Sequence, residues 1–159
     1  MVVALLALTG LFVALYLTLY KMGVIGQLAC SIGSCETVNT SRWAILAGLP
    51  VAAWGLGFYV TTLVVALMGI QDRWAASRGI SVALVAMSGW GVLFSAWLTY
   101  LELFVIHAIC AWCVVSAIIV TLIFITSVLD LRDDARGGAA VSGDSPARSP
   151  ESGPRVRRA

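Results

Sequence analysis

Three stretches of this chain are too apolar, for too long, to belong to a water-soluble fold. Val2 to Tyr20 carries no charged residue, and neither does Leu49 to Ile70. From Gly79 to Leu129 the only interruptions are Glu102 and His107. A helix rises about 1.5 Å per residue, so about 20 residues cross a hydrocarbon core of about 30 Å. The third stretch can cross twice, and Glu102–His107 is its polar place to turn. The sequence therefore predicts an all-α fold, an integral membrane bundle of four transmembrane helices over about 2–21, 49–70, 79–101 and 107–129. Composition agrees: 60% of residues are hydrophobic and 11% charged, against about 25% charged in an ordinary soluble domain. The lipid bilayer is thus one partner. Nucleic acid is not expected, because there is no basic stripe with interleaved aromatics.

The first stretch lacks a basic leading region and is long for a signal peptide, so it is expected to remain as a span. Gln27-Leu28-Ala29-Cys30 is a poor lipoprotein cleavage site, with Gln27 where a branched apolar residue belongs. Residues 1–130 are read as one membrane domain and 131–159 as a disordered cytoplasmic tail. Its distal part is rich in Gly, Ser, Pro and Arg, which cannot bury enough surface to offset ordering. The tail offers no room for a thioredoxin-like domain, so a redox partner is expected to be a separate protein.

Basic residues in short loops set orientation. The segment 22–48 and its border carry Lys21 and Arg42. The opposite side carries Arg73, Arg78, Arg132 and Arg136. This bias puts both termini in the cytoplasm and segment 22–48 outside, at the cell (inner or plasma) membrane.

Four cysteines decide the chemistry. Cys30 and Cys35 follow the first span, in a C-x4-C pair. Cys110 and Cys113 form a C-x-x-C at the start of the fourth span. With four spans these two places lie on the same membrane face, whichever face that is. On the extracytoplasmic side disulfides persist. Cys110, in the first turn of a helix, would have its thiolate favoured by free N–H groups and the positive dipole end. Cys113 lies one turn deeper in the bilayer. An outer thiol can meet another protein's disulfide, and an inner one a lipid-soluble oxidant.

Other readings stand beside this one. Cys110 and Cys113 could be small apolar core residues, and Cys30–Cys35 a static staple. A four-cysteine zinc or iron–sulfur centre is a further possibility, but the pairs are far apart in sequence and no metal is expected. His107, three residues before Cys110, either supplies a proton or marks the interface. Glu102 is read as marking the aqueous turn. The Trp residues suit interface belts or helix packing, with Trp54 and Trp112 candidates for ring contacts with a bound ligand. Gly55 and Gly57 are read as small residues permitting close helix approach, and Pro50 as part of the first turn of the second span.

The run Cys30-Ser31-Ile32-Gly33-Ser34-Cys35-Glu36-Thr37-Val38-Asn39-Thr40-Ser41 leads to Gly48-Leu49-Pro50-Val51-Ala52-Ala53-Trp54-Gly55. Tyr100-Leu101-Glu102 and Cys110-Ala111-Trp112-Cys113 follow. Together these resemble a bacterial member of the vitamin K epoxide reductase family, over roughly residues 5–128. The resemblance implies a four-helix bundle around a quinone (ubiquinone or menaquinone), capped by the segment after the first span. It implies that Cys113 faces the quinone, that Cys110 is its partner and exchanges with Cys35, and that Cys30 exchanges with an external thioredoxin-fold (DsbA-like) protein. Ser41 matches a serine near the quinone; from the residues alone it is equally a helix cap or a solvated hydroxyl. Ala117 stands where vertebrate members carry Tyr, and the loop after Ser41 is shorter. Both departures favour a respiratory quinone over vitamin K epoxide. The implied activity is a thiol–disulfide oxidoreductase with quinone as acceptor, supporting disulfide formation.

A DsbB-type quinone-linked oxidase would run the same chemistry, but with its C-x-x-C in the first outer loop. A non-catalytic four-span protein with structural disulfides is the other rival; these helices lack the polar midplane that a transporter needs. The orientation has its own test. In intact spheroplasts, a membrane-impermeant maleimide should label reduced Cys30, while a protease should reach a tag after Ala159 only once the membrane is opened.

Overall fold

The computed structural model describes residues 1–30, 34–71 and 78–143. Among these described residues, four helices are long and apolar enough to cross a membrane: Val2–Lys21, Val51–Ile70, Arg78–Ile106 and Ala111–Asp133. They belong to α1 (Val2–Lys21), α3 (Val51–Ile70), α4 (Arg78–Leu101, continued by a π-helical turn over Glu102–Ile106) and α5 (Ala111–Gly143). The expected four-span all-α architecture is present.

The helices pack as a ring. α1 lies against α3 and α5, and α4 lies against α3 and α5. The central layer is formed by Val3, Ala7, Val13, Ala14, Leu17, Tyr59, Ala66, Leu84, Ile119 and Ile123. Lipid tails are as apolar as Leu, so close approach and satisfied polar groups hold such helices together. Three buried hydroxyls are satisfied within their own helices: Thr18 donates to the Ala14 carbonyl, Thr62 to Phe58 and Ser88 to Leu84, while Ser127 Oγ on α5 is buried without a partner among the described residues. Close approach falls at glycines other than the expected pair. A β-carbon at Gly57 would meet nothing, and one at Gly55 only ordinary contact with Ala14. A β-carbon at Gly10 would overlap the Tyr59 ring, and one at Gly91 would lie 2.7 Å from Phe58 Cζ and 2.8 Å from Val120 Cγ2. An aromatic ring on the facing helix, not a neighbouring glycine, creates the requirement.

Between α1 and α3 lies the segment that carries the first cysteine pair. It holds the short helix α2 (Cys35–Thr40), a 3-10 turn at Arg42–Ala44 and a two-stranded hairpin, β1 (Ile45–Leu46) with β2 (Leu49–Pro50). Ile45 pairs with Pro50 and Leu46 with Leu49. Ala47 and Gly48, between the strands, both have positive φ, as a two-residue hairpin with the twist of its strands requires. Leu49 and Pro50 are used in the hairpin, so α3 starts at Val51 rather than 49, with Pro50 as its N-cap residue.

Two other boundaries differ from expectation. The third span does not end at 101; it runs through the π-turn to Ile106, and α5 begins at Ala111 rather than 107. At its far end α5 does not stop at 129 but continues to Gly143. Leu131, Arg132 and Arg136 favour helix, and the first glycines arrive only at 137. Residues 131–143, expected to belong to a disordered tail, are helical; the rest of that expected tail, residues 144–159, lies outside the described residues.

Gly91→Val should lower the unfolding midpoint in detergent by the equivalent of about 1–3 kcal/mol, the usual cost of overpacking. Gly57→Ala should leave it within experimental error.

Candidate functional site

The site is built where α5 starts. A helix leaves its first N–H groups without partners, and near a membrane that is costly. Cys110 is the residue immediately before α5, and its carbonyl accepts from Val114 N at 3.1 Å. Its own N–H is taken by the Glu102 carboxylate, Oε2 at 3.1 Å. One residue earlier, the Ile109 carbonyl accepts from Ser34 N at 3.0 Å, which ties the beginning of α2 to the C-x-x-C. Asn39, buried on α2, donates to the Cys35 carbonyl at 3.0 Å, and its Nδ2 lies 3.9 Å from Cys110 Sγ. Its carbonyl accepts in turn from Lys21 Nζ at the end of α1.

These bonds bring all four cysteines together. Cys35 and Cys110 are both buried, and with Val38 they form one small apolar cluster, with Cys30 and Cys113 packed around it. Cys30 and Cys35 are joined as a disulfide; Cys110 and Cys113 are free thiols. The expected gathering at one face is thus a single contact cluster between elements far apart in sequence. Among the described residues, no three His, Cys, Asp or Glu side chains are grouped to hold a metal.

The Cys110 thiol is held below the usual thiol range. The largest cause is hydrogen bonding from the Cys113 side chain, helped by the N–H groups of Cys113 and Trp112. Burial and the Glu102 charge act in the opposite sense. Hydrogen bonds to an ionised form favour it. The N-terminus of α5 thus acts on Cys110 as the sequence suggests, but from the cap position rather than the first turn.

Beside the cluster lies a cavity of about 820 Å³, walled by α1, α2, the hairpin, α3, α4 and α5. That is within the range of small-molecule sites, about 300–1,000 Å³. Its lining is mostly apolar, with Lys21, Asn39, Ser41, Glu102, Cys113 and Ser116 among its polar groups. Cys113 opens onto this cavity, while Cys30, Cys35 and Cys110 do not line it. The candidates Ser41 and Trp54 are on its wall. Ser41 follows α2, and its hydroxyl donates to the Val38 carbonyl at 2.8 Å. Trp54 donates from Nε1 to the Leu46 carbonyl at 3.1 Å, tying the hairpin to α3. Ser41 is thus both the C-cap residue of α2 and the N-cap residue of the 3-10 turn Arg42–Ala44, without a side-chain cap bond to that turn.

Three other candidates are not on the wall. Trp112 is one residue, or about 100°, around α5 from Cys113. It packs instead on Tyr16 of α1, with ring centroids 5.3 Å apart, and donates to the Ala29 carbonyl at 3.0 Å. Ala117 is also turned away; from α5 the cavity takes Cys113, Ser116 and Val120. Ser116 is held by Tyr59, whose hydroxyl lies 2.8 Å from Ser116 Oγ. His107 is exposed and in a left-handed conformation (φ 55°, ψ 34°) before α5 begins, so it does not share a helical face with Cys110.

Glu102 and Asn39 were not recognised as site residues from the sequence. Glu102 had a signal: an ionisable residue within a membrane span is a functional hypothesis by default. The sequence places it at an aqueous turn between the third and fourth spans. Instead the helix continues past it, and the side chain is only 5% exposed. Asn39 lies in a polar segment where asparagines are ordinary, and carried no such signal.

A buried bundle with a disulfide on a capping segment, a dithiol at a helix start and an apolar cavity beside it defines a membrane thiol–disulfide oxidoreductase. The family model described as Vitamin K epoxide reductase family matches residues 1–128, and the chain belongs to that family. This membership supersedes the DsbB-type frame, which rested on shared chemistry alone.

The effect of Cys113 on its neighbour is measurable. In protein with the Cys30–Cys35 bond intact, alkylation of Cys110 by iodoacetamide should titrate below the usual thiol range. Cys113→Ala should move that midpoint upward, because it removes the largest stabilising hydrogen bond.

Proposed function

We propose that the chain reoxidises a thioredoxin-fold, DsbA-like protein outside the cytoplasm and passes the two electrons to a membrane quinone, supporting disulfide formation. The ordering of the sulfurs supports this most: Cys30 half-buried, Cys35 and Cys110 buried together, and Cys113 on the cavity. The cavity also suits a quinone, a flat apolar ring with polar edges, since its walls are apolar and its polar groups few. Ser41 and Trp54 would hold the ring and Asn39 its edge. A bound quinone supplies an acceptor for two electrons and two protons.

The exchange steps follow from thiolate attack on disulfides. A thiolate of the reduced partner attacks Cys30 Sγ, the Cys30–Cys35 bond breaks, and Cys35 leaves as thiolate. The partner's second thiol resolves the mixed disulfide and leaves the partner oxidised. With Cys110 and Cys113 in their disulfide form, Cys35 then attacks Cys110, and Cys113 leaves as thiolate at the cavity. Cys30 attacks Cys35, restoring the first disulfide and freeing Cys110, and Cys110 and Cys113 take up the two protons that the partner's thiols give up. The bonding described here, Cys30–Cys35 joined and Cys110 and Cys113 free, corresponds to the state after that step. Oxidation of the dithiol then completes the cycle. The residues hold this order by contact: Ser34 and Asn39 keep α2 against the C-x-x-C. In the orientation that the basic residues favour, the disulfide faces outward and both termini are cytoplasmic.

Cys30→Ala and Cys113→Ala variants, with trapped disulfides mapped by mass spectrometry, test the relay. A Cys35–Cys110 cross-link is expected in at least one variant. Cys113→Ala should also lose quinone reduction while remaining inserted. Finding only Cys30–Cys35 and Cys110–Cys113 pairs under every condition would mean two independent staples and no relay.

A further inference from the structure

Oxidising a dithiol releases two protons as well as two electrons, and Cys110, which does not line the cavity, gives its proton no direct route there. Glu102 stands where a route is needed. It lines the same cavity as Cys113, is buried, and one of its oxygens accepts from Cys110 N–H. Two features argue against a cap and nothing more. Neutral Ser, Thr or Asn caps a helix start without burying a charge. A permanent carboxylate beside two thiols also opposes the thiolates that exchange requires. The backbone is shaped around this residue too. Glu102 opens the π-turn, its carbonyl accepts from both His107 N and Ala108 N, and His107 takes a left-handed conformation to permit it. Single π-turns inside helices are frequent at functional sites.

We propose that Glu102 is the proton carrier between the Cys110–Cys113 dithiol and the acceptor in the cavity. This rests on the relay above. As the Cys110–Cys113 bond forms, two electrons leave the sulfur pair for the quinone. The Glu102 carboxylate takes the Cys113 proton, gives it to an acceptor oxygen and returns to its ionised form. The Cys110 proton follows by the same carboxylate. Net, two electrons and two protons leave the dithiol and Glu102 is unchanged. Lys21, the other charged side chain on the cavity wall, bonds to the Asn39 carbonyl.

The test uses purified full-length protein. Glu102→Gln keeps an acceptor for Cys110 N–H but cannot carry a proton, so quinone reduction should fall about 100-fold or more. Glu102→Asp should retain turnover within about tenfold of the unaltered chain. A second readout needs no quinone. In a Cys110→Ala background, alkylation of Cys113 against pH should show two inflections, because thiol and carboxyl exchange one proton set, and a single inflection once Glu102→Gln is added. Turnover of Glu102→Gln within about twofold of the unaltered chain overturns the proposal. So does a single inflection with Glu102 present, a result that stands even if Glu102→Gln does not insert. If the unaltered chain reduces quinone, Cys113→Ala does not, and Glu102→Gln is unaffected, the cysteine relay survives and the Glu102 role falls. If the unaltered chain reduces no quinone, both fall.

Discussion

The site depends on how the start of α5 is satisfied. A helix that begins at a membrane face cannot leave its first N–H groups to water alone, and here the Cys110 N–H is met by the Glu102 carboxylate. The neighbouring Ile109 carbonyl is met by Ser34 N. Those two bonds fix the C-x-x-C between the end of the third span and the capping segment. Cys35 and Cys110, far apart in sequence, are buried together as a result. Thiol exchange needs sulfurs in contact, and the bonds that hold this joint are what keep Cys35 beside Cys110.

The ring of four helices does something different. α1 and α4 each touch α3 and α5, and rings and small side chains set the spacing. Gly10 admits the Tyr59 ring, and Gly91 admits Phe58 and Val120. Tyr59 then reaches Ser116 on α5. The ring closes deep in the bundle but leaves an apolar cavity towards the capping segment, roofed by α2 and the hairpin. Of the four sulfurs, Cys113 alone is on the cavity wall, while Cys30 is half-buried on the capping segment.

Much of this was legible in the sequence, for physical reasons. Span length and the absence of charge specify four crossings, because the cost of burying charge in hydrocarbon leaves few alternatives. Parity then puts Cys30, Cys35, Cys110 and Cys113 on one face. What was not legible involves angles. Whether Trp112 or Cys113 looks into the cavity is a matter of about 100° of helix rotation, and the apolar sequence around α5 does not mark one face. Ala117 and Ser116 present the same ambiguity. Likewise the exact turn between the third and fourth spans was open, because a π-turn has no simple sequence signature.

The sequence by itself determined the membrane class, the number of spans and the common face of the four cysteines, since hydrophobic length and chain parity depend on no side-chain contact. Only the tertiary structure decided that Trp112 and Ala117 turn away from the cavity, that Asn39 sits between Cys35 and Cys110, and that Glu102 turns inward. Those outcomes depend on where α4 ends. Because its last turn widens instead of stopping at Leu101, the carboxylate meets the Cys110 N–H rather than water.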